Sequence, residues 1–348
     1  MYRERGEGWD AATSAEEFFQ GRLEGRYLPE PRPAQLQAAL YHAAAGAAIL
    51  LAVALLILLG SWKIKDLFRR YKPAPVGLTT ALSLLPEKDA PAACRPTVRL
   101  INGAVKDGKV SEAVQKAEET ARDRALLDSF RQSPQAYQWL VEVLVAGHML
   151  LASQDRVKTQ DHYLKAIQFY EKFGKQMTDP GWNSLFCYCW ALFEKSGGAT
   201  LDPIRAKDSR DVLDAVSLVY KNHPTLPEAS PKLQFQLWKI EGYTLARVLT
   251  SQGHWWRRRR FDPGNTANRG NWLRLDDLLI EWGHRSTPEK DRDLVCLRLW
   301  FWQTVQTFSF GLPVVSKKEM YVGDRQYSMA TADEQTRRLR AIMEGGLR

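Results

Sequence analysis

The sequence has little of what builds metal, redox or nucleophile sites. It holds four cysteines and six histidines in 348 residues. Cys94, Cys187, Cys189 and Cys296 make no pair of CxxC half-sites and no disulfide framework. Cys187 and Cys189 stand two apart within an aromatic run, so on a helix they point in different directions. All four are expected as small apolar residues of a core. The histidines show no ligand spacing, and neither a metal nor a cofactor is expected. No Walker A loop, GxGxxG turn, HExxH, GxSxG or kinase set is present, which argues against an enzyme. One constellation comes near to catalytic chemistry: Asp276 and Asp277, with Glu281 and His284 at i+4 and i+7 from Asp277. Such a set is more often a solvated helix side. Strand-like alternation is almost missing before Met320–Tyr327.

What the chain does have is a long apolar run. AAAGAAILLAVALLILL, residues 43–59, contains no polar or charged side chain. Extended to 37–62 it matches the roughly 20 residues that cross a bilayer core as a helix. No cleavage site follows it, so it is expected to be retained as an anchor. Residues 1–36 form a short acidic tail with five arginines against seven acids. Directly after the run come Lys63, Lys65, Arg69, Arg70 and Lys72. The basic flank belongs on the cytoplasmic side, which places the large C-terminal part there too, and in a bacterium the membrane is the inner one. Ile64, Leu67, Phe68 and Tyr71 form an apolar stripe within this flank. Residues 63–72 are therefore expected as an amphipathic collar at the membrane surface. Each basic residue there contributes about 1 kcal/mol against anionic lipid.

Residues 73–97 carry five prolines and read as a linker. From 98 to 315 the apolar period is that of helices, separated by short turns of Pro, Gly, Ser and Asn, and 316–348 is a tail. Val110, Ala113, Val114, Ala117 and Ala121 define one close-packed face. SPQAYQWLVEVLVAGHMLLAS opens on a Ser-Pro start signal and is apolar almost throughout, as a central helix is. Tyr163, Leu164, Ile167, Tyr170 and Phe173 are expected on a third face. GWNSLFCYCWALFEKSGG reads as the next helix, ended by Gly197-Gly198. LWFWQTVQTFSFGL, 299–312, is expected as a core helix rather than a second span. A final amphipathic helix fits TADEQTRRLRAIMEGGLR.

Three of these segments resemble the tetratricopeptide family. Gly108 precedes Ala113 by five residues, and Ala113 and Ala117 fall at small packing positions. Ala166 and Tyr170 repeat the Ala-x3-Tyr pattern, and Ala215 leads to a Pro-rich ending. The steps from Ala113 to Ala166 and on to Ala215 are longer than the roughly 34 residues of that repeat. The resemblance implies an all-α, divergent solenoid of helical hairpins behind the membrane helix. Such solenoids hold other proteins in a groove.

The formal charge of +9 favours acidic partners. It concentrates in HWWRRRRFD, where Trp255 and Trp256 run into Arg257, Arg258, Arg259 and Arg260. Seven of the twelve tryptophans fall between Trp238 and Trp302, so this stretch sits in an unusually aromatic region. Four successive residues sweep about 300° around a helix, so the arginines share no face and belong to a helix end or loop. A helix C-terminus favours one or two cations, not four beside two tryptophans. Anionic lipid, an acidic protein and nucleic acid all suit such a patch. The expectation is a membrane-anchored scaffold or adaptor that recruits an acidic or disordered protein to an assembly such as a secretion or conjugation machine. The alternative is a membrane-tethered nucleic-acid binder of a DNA-translocating system.

Overall fold

The structure is a computed structural model that describes residues 82–155, 157–202, 204–225, 230–251, 266–310 and 319–345. The acidic tail, the apolar run at 37–62, the collar at 63–72 and the arginine-tryptophan stretch lie outside the described residues. Among the described residues no helix is long and apolar enough to cross a membrane.

The described chain is mostly helical. Helix α1 spans Arg95–Lys106, α2 Val110–Arg122, α3 Arg124–Arg131, α4 Pro134–Gln154, α5 Thr159–Phe173, α6 Trp182–Lys195 and α7 Ala206–Asn222. They are followed by α8 at Pro231–Ser251, α9 at Thr266–Arg285 and α10 at Arg292–Phe310. A two-stranded antiparallel hairpin, β1 (Glu319–Val322) and β2 (Arg325–Ser328), leads into α11 (Met329–Glu344).

Local chemistry sets these boundaries. The Ser133 hydroxyl accepts from the Ala136 N–H at 3.3 Å, and Pro134 opens α4 with the backbone angle a first turn needs. Asp123 caps α3 in the same way, and Ser328 caps α11. Gly197 and Gly198 end α6 at positive φ of 115° and 63°, a conformation other residues rarely adopt.

The helices are arranged as a ladder of hairpins. Each of α2, α4, α6 and α8 packs on the helix that follows it and on the next member of the same row, which α10 ends. The returning helices α3, α5, α7 and α9 pack against the next row member in turn, and α1 covers the open side of α2. This arrangement is compatible with an α-solenoid. Its centre is densely filled. Every residue of α6 from Asn183 to Phe193 is buried, in keeping with a sequence apolar around its whole circumference. That all-round burial places both Cys187 and Cys189 in the core despite their opposite directions. Ala113, Val114, Ala117 and Ala121 line the buried face of α2. On α5 the buried set is Ala166, Ile167, Tyr170 and Phe173; Leu164, expected on that face, is 40% exposed. Its position is one residue out of register with the stripe that Ala166, Tyr170 and Phe173 define.

Two findings depart from the sequence reading. The C-terminal part of the Pro-rich stretch is packed, with Leu82, Leu85, Ala90 and Cys94 buried and two 3-10 turns at Glu87–Asp89 and Ala92–Cys94. The alanines that carry the repeat resemblance are all buried, but they are not equivalent. Ala113 lies on α2, in the row whose members touch one another, whereas Ala166 and Ala215 lie on the returning helices α5 and α7.

Candidate functional site

The expected binding residues Trp255, Trp256 and Arg257–Arg260 belong to the connection between α8 and α9, outside the described residues. Of the four residues in the acidic-histidine set, the structure brings together only two. Arg325 of β2 binds Asp276 at 2.6 Å through one guanidinium nitrogen and binds Asp277 through the other. The Tyr327 hydroxyl donates to the same Asp276 oxygen at 2.7 Å. Burial and the Asp276 carboxylate together push the Tyr327 phenol well above its ordinary value. Glu281 and His284 lie exposed on the far part of α9. The acidic pair therefore anchors the hairpin to α9, and no group of three metal-ligating side chains is present among the described residues.

A buried polar cluster lies elsewhere, where α2, α4 and α5 meet. His148 is the one histidine in an otherwise apolar stretch of α4, and it is 1% exposed. Its Nε2 lies 3.0 Å from Glu118 Oε1, and its Nδ1 lies 3.1 Å from His162 Nδ1. A carboxylate only accepts, so His148 Nε2 carries a proton and donates to Glu118. In neutral His148 the Nδ1 is then a lone pair, and His162 Nδ1–H donates into it. Glu118 also receives Lys165 Nζ at 2.9 Å and Arg122 Nη2 at 2.7 Å. The Phe169 ring stacks on the His148 ring, nearly parallel at 5.5 Å.

The electrostatics follow from that geometry. Burial pushes His148 down to about 4, against the opposing pull of the Glu118 carboxylate. His162 is held below its ordinary value, first by burial and then by the Lys165 charge. Burial acts to raise Glu118, but the Lys165 hydrogen bond and the surrounding positive charges outweigh it and hold the carboxyl below the usual range. The cluster is thus an ionised carboxylate with a neutral imidazole pair sharing one proton between facing nitrogens. Nothing in the local sequence brings these residues together, since Glu118 and His148 stand on separate helices 30 residues apart. The readable signal was the lone imidazole in AGHML, which a buried helix carries only with a partner.

A second buried pair, Lys239 with Asp293 at 2.9 Å, ties α8 to α10. Asp293 also accepts from the Tyr243 hydroxyl at 3.0 Å. Burial raises all four thiols, Cys296 to about 11, so none is a ready nucleophile.

A third polar site surrounds the irregular segment before the first turn. The Trp139 indole donates to the Ser83 carbonyl at 2.8 Å, and the Ser83 N–H donates to Glu142 at 3.4 Å. Two residues on, the Asn102 side chain accepts from the Leu85 N–H at 3.3 Å and donates to the Leu85 carbonyl at 2.7 Å. Asn183 of α6 holds the same Glu142 oxygen at 3.0 Å. Comparison with family models, curated proteins and solved structures finds no match to this chain.

Proposed function

We propose that this protein is a membrane-anchored helical scaffold that recruits an acidic or disordered protein to a membrane assembly of the secretion or conjugation kind. The observation that carries the reading is the ladder of helical hairpins, compatible with an α-solenoid, an architecture whose usual work is to present a rigid surface to other proteins. The sequence supplies the rest. The apolar run at 37–62 serves as a transmembrane helix in a bacterial inner membrane. Lys63, Lys65, Arg69, Arg70 and Lys72 hold the chain against anionic headgroups from the cytoplasmic side. Trp255, Trp256 and Arg257–Arg260 provide the cationic, aromatic contact for the partner.

The burial of α6 bears on where a partner is met. An inner row of helices closed at its centre leaves no groove along Asn183–Phe193. The reading therefore puts recognition at the α8–α9 connection and at edges of the ladder. A pull-down from native membranes tests this, comparing the full-length chain with an Arg257–Arg260→Ala variant and identifying copurified protein and nucleic acid. Loss of one particular protein from the variant is the expected result. Loss of nucleic acid alone favours the tethered nucleic-acid binder, and retention of every partner removes the arginines from the recognition surface.

A further inference from the structure

The segment before the first 3-10 turn is held as a recognised peptide is held. Residues 82–86 belong to no helix or strand, and their burial runs in threes: Leu82 and Leu85 are buried, Ser83 and Leu84 exposed. Side chains from two helices satisfy both the N–H and the C=O of Ser83 and of Leu85, residues two apart. Trp139 and Glu142 of α4 serve the first, and Asn102 of α1 serves the second. A side-chain amide that both accepts from and donates to one residue reads main chain rather than sequence. Leu82 and Leu85 fill the cleft at 5% and 3% exposure, while Leu84 points out at 44%. Gly147 of α4 lets Val114 of α2 approach, since a Cβ there would collide with Val114 Cγ2, and Leu82 packs beside that contact.

We propose that the α1–α4 cleft is a peptide-binding site, occupied in the resting chain by its own residues 82–85. By exchange it takes a non-helical segment of a partner protein with leucines at its first and fourth positions. This deepens the scaffold reading and rests on it for the existence of a partner. The chemistry of the occupant follows from what now fills the site. Two apolar side chains three apart enter the cleft. The residue after the first leucine lies exposed beside the Glu142 carboxylate that its N–H binds, so an acidic side chain is disfavoured there. Main-chain recognition makes no further demand on sequence. An acidic stretch of a partner is therefore met elsewhere, and a leucine-bearing, non-helical stretch is met here.

The test uses the full-length chain in detergent and a synthetic peptide of residues 80–88, TALSLLPEK, with the peptide's Leu82 and Leu85 changed to Asp as control. Hydrogen exchange by mass spectrometry is read across residues 82–86 as peptide is added. The expected result is at least tenfold faster exchange of that segment alone. The control peptide has no effect, and at least tenfold more peptide is needed with the Asn102→Ala chain. In a chain carrying Leu82→Asp and Leu85→Asp, a labelled peptide is expected to bind saturably. If that variant fails to fold, exchange on the unaltered chain decides. Exchange unmoved by saturating peptide makes the segment a fixed part of the core and overturns the proposal. Acceleration indifferent to Asn102→Ala places the peptide elsewhere and overturns it too. No partner protein enters the assay, so its outcome is separate from that of the pull-down.

Discussion

Trp272→Ala is expected to destabilise the helical part by about 3–5 kcal/mol, the range for removing a large aromatic side chain from a packed core. Trp272 is fully buried on α9, and its ring stacks on Phe301 of α10 at 4.2 Å. Tyr327 of β2 meets the Trp272 ring edge-on at 5.9 Å and the Phe301 ring at 5.7 Å. These three rings join α9, α10 and the hairpin. The hairpin has only two strands, which are marginal alone and need a partner surface. Arg325 on Asp276 and Asp277, and the Tyr327 hydroxyl on Asp276, attach it as well. The variant is therefore expected to lose hydrogen-exchange protection first at Glu319–Ser328, before α4 and α6. Chemical denaturation followed by tryptophan fluorescence measures the size of the effect. A loss below about 1 kcal/mol, or uniform loss of protection, would show that the aromatic triad does not hold the hairpin.

Acidification gives the second large effect. His148 is neutral in the folded protein down to about pH 4, whereas in the unfolded chain it protonates near its ordinary value of 6.5. Between those values the unfolded state binds more protons, so this stabilisation is complete above pH 6.5 and is lost as pH falls toward 4. A displacement of that size is worth about 3 kcal/mol. Glu118, held below the usual carboxyl range, adds a loss of the same sign at lower pH. The Glu118 carboxylate offsets only part of the burial cost. A second proton on the imidazole pair sets two N–H groups face to face at 3.1 Å, with Lys165 and Arg122 already bound to Glu118. Asp155 and Asp161 act on the exposed side of His162 rather than on His148. Unfolding free energies measured from about pH 7.5 down to 4 are expected to fall about 3 kcal/mol further for the natural chain than for His148→Gln. Parallel profiles would mean that His148 is not the titrating group.

Much of the fold is legible where one helix carries its own signal. Ser133-Pro134 and the apolar run behind it announce α4, the alanine face announces α2, and Gly197-Gly198 marks the end of α6. The alternation at Met320–Tyr327 marks the hairpin, because a period of two needs only neighbouring residues to be read. What stays hidden depends on pairs far apart in the chain. Asp276 and Asp277 read as solvated because Arg325 lies almost 50 residues away, beyond the end of α10. Glu118, His148 and His162 come from three helices, and only packing makes them one cluster. Leu82–Leu85 reads as linker because so short an irregular segment repeats no pattern. Its order comes from Asn102 and Trp139, side chains of helices that follow it.

The central claim is that this helical ladder is held at a membrane by residues 37–62. Alkaline extraction of membranes tests it most directly, comparing the full-length chain with one lacking those residues. The account predicts that the full-length chain stays in the membrane pellet while the shortened chain is released with its helical circular dichroism intact. Release of the full-length chain by alkali would contradict it.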